Sequence, residues 1–239
     1  IGFDHKWWGS AEVYMRKYEL MQGETERPYY TTKDSNVTGE MAAALAAGYL
    51  VFKDSDPALA KTYLEHAENC FKIADTTRDH KNTPASDAMY PSSHFYDELF
   101  WAANWMYKAT GEQKYLDLCE SDYIPNLGKE DQSTEMKYTW GMCWDDVQQG
   151  GTLLYALNTG DATWKEQFRK HLEYWTTGYG GKQINHTPDG LAWLTNWGSL
   201  RHATTTAFMA YVAADELFSG TADADKYTQF ADTQMNYCF

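Results

Sequence analysis

Two pairs of adjacent carboxylates in this sequence have the residue types and the surroundings of a metal site. Asp97 and Glu98 follow a polar loop and begin an apolar stretch of helical periodicity, and Asp145 and Asp146 precede a second such stretch. Carboxylates at a helix N-terminus complement the positive end of the helix dipole, and with loop oxygens they can also hold a hard cation. The first explanation is the more common one, but the repeated arrangement favours a shared site.

Aromatic residues form a second group that could bind a ligand. The chain has ten tryptophans, and 16% of its residues are aromatic. Many of these rings lie in loops among carboxylates, amides and hydroxyls, which suits sugars, because sugar C–H faces stack on rings while sugar hydroxyls need hydrogen-bond partners. Four other tryptophans have helical spacing, and we expect them in the core or between helices. They are Trp101, Trp105, Trp164 and Trp175.

Length, charge and cysteine spacing exclude several classes of protein. A chain of 239 residues suits one sizeable domain. With 34 acidic and 20 basic residues and no basic stripe, it is a poor partner for nucleic acid or an anionic membrane. No apolar run of about 18 residues is present, so we expect no membrane span. Four cysteines without metal-site spacing predict free thiols: Cys70, Cys119, Cys143 and Cys238.

The hydrophobic periodicity predicts four helical hairpins. In each pair the first helix is rich in small residues and the second is amphipathic. The first helices are predicted over 40–52, 97–109, 147–158 and 199–218, and the second over 57–75, 113–122, 162–176 and 224–237. This repeat predicts an all-α fold, an (α/α) toroid of helical hairpins with the small-residue helices inside. The long connections between hairpins all open at one end, which we expect to be the functional end.

Six segments, in order along the chain, resemble glycoside hydrolase family 9. They are 4–13, 40–48, 92–111, 139–146, 190–201 and 229–237. The resemblance implies a single partial domain over 1–239, incomplete relative to the six-hairpin (α/α)6 barrel of that family. It also implies a secreted cellulase of the endoglucanase type that hydrolyses β-1,4-glucan with inversion of configuration. Carbohydrate-binding or cellulosome modules are possible neighbours of the domain in the parent protein.

No catalytic residue is predicted within the sequence. The family's catalytic aspartate belongs to an Asp-Ala-Gly-Asp motif and its catalytic glutamate lies beyond a His-His-Arg motif, and neither motif occurs here. Inverting glycosidases need two carboxylates about 6.5–9.5 Å apart, so we expect the 239-residue chain alone to be inactive. Two other functions stay open. One is a non-catalytic carbohydrate-binding toroid, and the other is a different α/α-barrel enzyme, such as a lyase or isomerase acting on sugars.

The resemblance implies a structural calcium ion beside the cleft. Its ligands would come from Ser93, His94, Asp97, Glu98 and Asp145. Carboxylates with hydroxyl or backbone oxygens are a suitable set for this cation. His94 replaces a family glycine, which is tolerable only if it contributes its carbonyl and avoids positive φ.

The resemblance also implies a set of residues that contact the glucan. The predicted stacking rings are Trp8, Tyr90, Trp140 and Trp197. The predicted hydrogen-bond donors to sugar hydroxyls are His5 and Arg201. His202 stands where the family usually has an aromatic residue, and we include it in the predicted binding set.

Overall fold

The computed structural model describes residues 8–10, 12–13, 31, 33–80 and 90–239. Its helices form the four hairpins expected from the sequence. The first helices of the pairs are α1 (Asn36–Phe52), α3 (Tyr96–Thr110), α5 (Gln148–Thr159) and α7 (Ser199–Val212). The second helices are α2 (Pro57–Thr77), α4 (Lys114–Leu118), α6 (Ala162–Trp175) and α8 (Ala222–Tyr237). The predicted all-α hairpin architecture is therefore confirmed.

Short irregular segments extend or connect these helices. A π-helical turn at Cys119–Tyr123 and a 3-10 turn at Ile124–Asn126 follow α4, and a π-helical turn at Ala213–Leu217 follows α7. The connection between α6 and α7 contains an antiparallel pair, β1 (Asn185–His186) and β2 (Ala192–Trp193), in which Asn185 lies opposite Trp193. The helical periodicity had predicted this connection only as a loop. No helix of the described ranges is long and apolar enough to cross a membrane.

Local sequence explains where the hairpins turn. Pro57 occupies the first turn of α2, and the Asp56 side chain before it accepts a hydrogen bond from the Leu59 N–H group at 3.0 Å. Gly111 ends α3 with a φ of 71°, a left-handed conformation that residues with a Cβ rarely adopt. These features match the capping pattern of the sequence, so the hairpin turns are fixed locally.

Small residues let the helices rich in them approach one another closely. A Cβ atom at Gly39 of α1 would lie 3.2 Å from the Cβ atom and the carbonyl oxygen of Glu98 in α3. A Cβ atom at Gly151 of α5 would lie 2.6 Å from the Phe100 ring of α3. The lack of a side chain at Gly39 and Gly151 therefore allows the close spacing of α1, α3 and α5. Gly39 allows it beside a predicted metal ligand, Glu98.

The buried apolar side chains form two clusters. One lies between the first two hairpins around Leu99, Phe100 and Tyr123, and the other lies between the last two around Phe168 and Trp175. Burying side chains of this size is the main source of stability for such a fold. All four cysteines are free thiols, as predicted.

A cavity of about 780 Å³ opens between α3, α5 and α7. Trp101 and Trp105 line it and contact each other at right angles, with ring centroids 5.5 Å apart. The two rings are only half-buried, but Trp105 packs against the first cluster and Trp101 packs on Trp105, which agrees with the predicted packing in the core or between helices. They project from α3 toward a gap that the described helices do not fill. Trp175 is fully buried and Trp164 packs against the first cluster, as predicted.

The helices rich in small residues also expose apolar side chains to solvent. Five such side chains lie on α1 and α7: Val37, Met41, Val51, Leu200 and Phe208. Apolar patches of this kind drive association when nothing covers them.

We predict that the purified chain self-associates and that Phe208→Lys shifts it toward the monomer. Phe208 is 67% exposed, so the charged side chain should remain hydrated without disturbing the core. Sedimentation velocity over a concentration series measures the effect. Thr62→Lys on the exposed surface of α2 is the control for added charge and should change nothing. A wild-type chain that stays monomeric over the whole series would contradict the prediction.

Candidate functional site

The two acidic pairs are brought together at the end of the molecule that carries the long loops. Ser93 donates two hydrogen bonds to Asp145, from its backbone N–H group at 2.7 Å and from its hydroxyl at 2.8 Å. The Val147 N–H group, just before α5, donates to Asp97 Oδ2 at 2.9 Å. These bonds tie the loop before α3 to the loop before α5. The structure therefore brings the two acidic pairs together, as the repeated arrangement predicts.

Four carboxyl groups around this contact are largely removed from water. Asp97 and Glu98 at the start of α3 are 0% and 1% exposed, and Asp146 is also buried. Burial first, and the Asp97 carboxylate second, raise the pKa values of Glu98, Asp146 and Glu40. The environment of the cluster thus disfavours the ionised forms of these three carboxyl groups.

Two basic side chains of the described residues reach the cluster. Lys137 Nζ lies 2.8 Å from Asp146 Oδ2, and His94 Nε2 lies 3.2 Å from Asp97 Oδ1. Burial alone would lower the pKa of Lys137, but the contact with Asp146 raises it overall, so Lys137 remains charged. The other nitrogen of His94 lies 2.7 Å from the Ser93 hydroxyl. The imidazole therefore stands between two of the predicted calcium ligands.

The donor set fits a hard cation only if hydroxyl or backbone oxygens complete it. In the described part of the chain, no three His, Cys, Asp or Glu side chains are arranged to hold a metal ion by themselves. Glu98 Oε2 is nevertheless a buried oxygen without a hydrogen-bond partner among the described residues, and Asp97 Oδ1 has only the ion-pair contact with His94, so both oxygens could bind a cation. His94 meets one part of its condition, because it avoids positive φ: the non-glycine residues with positive φ in the described ranges are Arg78 and Gln132.

Aromatic rings and a guanidinium group border two adjoining cavities of about 310 and 450 Å³ beside the acidic cluster. Trp140 lines the first, and Trp144 and Arg201 line both. Trp140 and Trp144 are 38% and 44% exposed. Tyr90 contacts Trp144 edge to face, with centroids 5.3 Å apart. The structure therefore brings together three of the predicted contact residues, Tyr90, Trp140 and Arg201.

Trp144 lines both cavities but is not among the residues predicted to contact the glucan. Trp140 and Trp144 are four residues apart, a spacing typical of one face of a helix, but here they lie in an irregular loop and both rings reach the surface. The signal that was available is the position of Trp144 beside a predicted ligand, Asp145.

Two other predicted glucan contacts lie outside these cavities. Trp8 and Trp197 are each 80% exposed and line neither cavity. Trp197 lies four residues before Arg201, in the loop that leads into α7. His5 lies outside the described residues.

His202, which belongs to the predicted binding set, does not reach the surface of the site. Its side chain is fully buried and packs under the exposed Trp140 ring, with centroids 5.4 Å apart. Arg201, its neighbour on α7, lines both cavities, whereas His202 lines neither. His202 is therefore connected to the site through the side chains that it contacts, Trp140 and Arg201.

Comparison with known proteins assigns these features to a family. A family profile described as glycosyl hydrolase family 9 matches residues 2–239. The chain belongs to glycosyl hydrolase family 9. It is 40% identical over 237 residues to endoglucanase B of Cellulomonas fimi, which covers 98% of this chain and 22% of that protein. It is 36% identical over 241 residues to endoglucanase A of Bacillus pumilus, which covers 98% of this chain and 35% of that protein.

Solved structures of the family share the fold. The chain superposes on endoglucanase CelQ from Clostridium thermocellum, complexed with cellotetraose, with a TM-score of 0.86 and 44% sequence identity. The match covers 98% of this chain and 37% of that one. It also superposes on the cellulase Cel9M of C. cellulolyticum with a TM-score of 0.78 and 28% identity, over 98% of this chain and 49% of that one. This family 9 chain therefore spans less than half the length of these relatives, and it has the (α/α) hairpin fold predicted for it.

We predict that Lys137→Met lowers the free energy of unfolding by about 3 kcal/mol, because it leaves Asp146 as a buried charge without its ion-pair partner. The double variant Lys137→Met/Asp146→Asn should lose less, since the amide carries no charge. Chemical denaturation measures both. Lys61→Met removes an exposed ion pair with Glu65 and should change the free energy of unfolding little. If Lys137→Met were as harmless as Lys61→Met, the buried cluster would not carry the charge we assign to it.

Proposed function

We propose that this chain is part of the catalytic domain of a secreted endo-β-1,4-glucanase, and that its loop-bearing end binds a stretch of glucan. The observation that carries the proposal is the group of exposed rings and one guanidinium around the two adjoining cavities. The crystal structure of the family member CelQ with cellotetraose supports the choice of a β-1,4-glucan. Hydrolysis with inversion and flanking carbohydrate-binding or cellulosome modules are part of the same proposal.

The aromatic rings would supply stacking surfaces for pyranose rings. Trp140 and Trp144 present part of their faces to solvent while their remaining surface is packed against the protein. Such rings are held in place before a ligand arrives, which limits the conformational entropy lost on binding. Tyr90 and Trp197 extend the same end of the molecule.

Arg201 would donate hydrogen bonds to sugar hydroxyls. Its Nη2 group lies 2.9 Å from His202 Nε2, and no carboxylate of the described residues pairs with it. Its Nε atom is buried and has no hydrogen-bond partner. A guanidinium that is not neutralised by a carboxylate keeps donors for a ligand, and a neutral glucan satisfies them with hydroxyl oxygens.

The cation site would support the binding surface rather than the chemical reaction. We propose that Ser93, His94, Asp97, Glu98 and Asp145 hold a structural calcium ion, with the hydroxyl and carbonyl oxygens of the loop completing the coordination. The ion would neutralise the buried acidic cluster. Because Asp145 adjoins Trp144, the same residues would fix the position of the stacking ring.

We predict that calcium raises the melting temperature of the chain and that a chelator lowers it. A ligand at about 100 times its Kd adds roughly 2.7 kcal/mol to the free energy of unfolding. Asp97→Ala should abolish the response, because it removes a buried carboxylate and the bond to Val147. Differential scanning calorimetry with calcium and with chelator measures this. An identical chelator response in the wild-type chain and the Asp97 variant would contradict the assignment.

We predict that Trp140→Ala and Trp197→Ala weaken cello-oligosaccharide binding more than they weaken folding, because exposed rings can be removed without opening a core cavity. Trp175→Ala is the matched control. Trp175 is fully buried, so its loss should cost on the order of 3–5 kcal/mol in stability. Titration calorimetry and melting curves separate the two effects. Similar profiles for the exposed and the buried tryptophans would refute the division.

The proposed activity is tested by reducing-sugar release from carboxymethylcellulose. We predict no meaningful release by the 239-residue chain, because neither catalytic motif of the family occurs in the sequence and inversion requires two placed carboxylates. The buried Asp146 is bonded to Lys137, so it is not placed to protonate a leaving group. The full-length parent protein should release reducing sugar. A parent that binds the glucan without cleaving it would favour the non-catalytic binding toroid. Robust hydrolysis by the monomeric chain would show that the chain itself contains the active site, contrary to our prediction.

A further inference from the structure

His202 lies beneath the proposed glucan surface and contacts two of its members. The side chain is fully buried at the start of α7. Its ring packs edge to face against Trp140 at an interplanar angle of 67°. Its Nε2 atom lies 2.9 Å from Arg201 Nη2. One buried imidazole therefore touches both the stacking ring and the guanidinium.

The contact with Arg201 fixes the chemical form of the imidazole. A guanidinium nitrogen can only donate, so His202 Nε2 must accept, and a neutral His202 then carries its proton on Nδ1. Burial first, and the Arg201 charge second, lower the pKa of His202, which favours this neutral form. The ring thus acts toward Arg201 as a hydrogen-bond acceptor held in a fixed direction.

The backbone around the ring leaves it little room to move. A Cβ atom at Gly141, next to Trp140, would lie 3.1 Å from His202 Nδ1 and 3.1 Å from Trp175 Cζ2. The imidazole is therefore enclosed between the Trp140 loop and the second apolar cluster. Because the ring is confined, its position constrains the two side chains that contact it, Trp140 and Arg201.

We propose that His202 is a positioning residue, which holds the Arg201 guanidinium and the Trp140 ring in the relative geometry that a glucan chain requires. This inference rests on the proposed function of the loop-bearing end. His202 itself does not contact the ligand. Two properties of the imidazole are needed together, a flat ring for Trp140 and an acceptor for Arg201.

Substitutions can separate the two properties. His202→Phe keeps a ring beneath Trp140 but removes the acceptor, and His202→Gln keeps an acceptor on a flexible side chain. If orientation of Arg201 is the larger contribution, the phenylalanine variant should lose more affinity than the glutamine variant. If His202 contributed only to folding, the loss in each variant would depend on how well the new side chain packs in the core. It would not depend on whether that side chain has a hydrogen-bond acceptor.

The test is a double-mutant cycle read by titration calorimetry with cellotetraose on the 239-residue chain. We expect His202→Phe to raise the Kd about tenfold, in keeping with the loss of a hydrogen bond to a charged group. His202→Gln should stay within about threefold of the wild-type Kd. In an Arg201→Met background, His202→Phe should change the Kd less than about twofold, because the partner it acts through is gone.

His171 provides the matched control. It is also fully buried, and its Nδ1 atom bonds the Tyr138 carbonyl at 2.7 Å, but it lines neither cavity. His171→Phe should lower the melting temperature and leave the Kd for cellotetraose unchanged. If His202→Phe shows no cooperative melting transition, His202→Met, which has similar volume and no nitrogen acceptor, takes its place in the cycle.

Two results overturn the inference alone. The first is a His202→Phe chain that binds cellotetraose as tightly as the wild-type chain, and the second is an equal loss in both Arg201 backgrounds. Failure of the wild-type chain to bind any cello-oligosaccharide overturns the proposed function and this inference with it. The two failures are therefore distinguishable.

Discussion

The buried carboxylate of Asp97 is the constraint on which the loop-bearing end of the molecule depends. It begins α3, it is fully removed from water, and one of its oxygens accepts the Val147 N–H group that precedes α5. A charge in this position is stable only with donors and a cation nearby. The N-terminus of α3 and His94 supply donors, and we propose that calcium supplies the cation.

The consequences of that constraint reach the binding surface. Gly39 lets α1 approach α3 at Glu98, so the acidic cluster is closed by helix packing as well as by loops. Asp145 is bonded to Ser93 and adjoins Trp144, so the position of one exposed ring is set by the same contacts. The cluster and the aromatic surface are therefore linked, because the polar bonds between the two loops also constrain the position of the Trp144 ring.

Much of the fold could be predicted because its determinants are local. Pro57, Asp56 and Gly111 encode the hairpin turns directly, and small residues at regular spacing mark the helices that pack closely. The acidic pairs could be predicted to meet because equivalent positions of a repeat lie at the same end of a toroid. The β1–β2 pair was missed because two-residue strands leave no periodic signal.

The failures at the site have a different cause, because they depend on which way a side chain points. Trp101 and Trp105 pack as their spacing predicts, yet they also border a cavity whose size depends on the separation of three helices. Trp144 lies in a predicted connection, and only the fold shows that its ring lines both cavities. His202 was included because it stands where family 9 usually has an aromatic residue, but its side chain is buried beneath Trp140.

The central claim is that the rings beside the acidic cluster, and not the larger apolar cavity, bind the glucan. A crystal structure of the chain with cellotetraose and calcium tests it most directly. Our account predicts pyranose rings against Trp140 and Trp144, a hydroxyl within hydrogen-bond distance of Arg201, and a calcium ion on Asp97. Density for the oligosaccharide between Trp101 and Trp105, with no sugar beside Trp140, would contradict it.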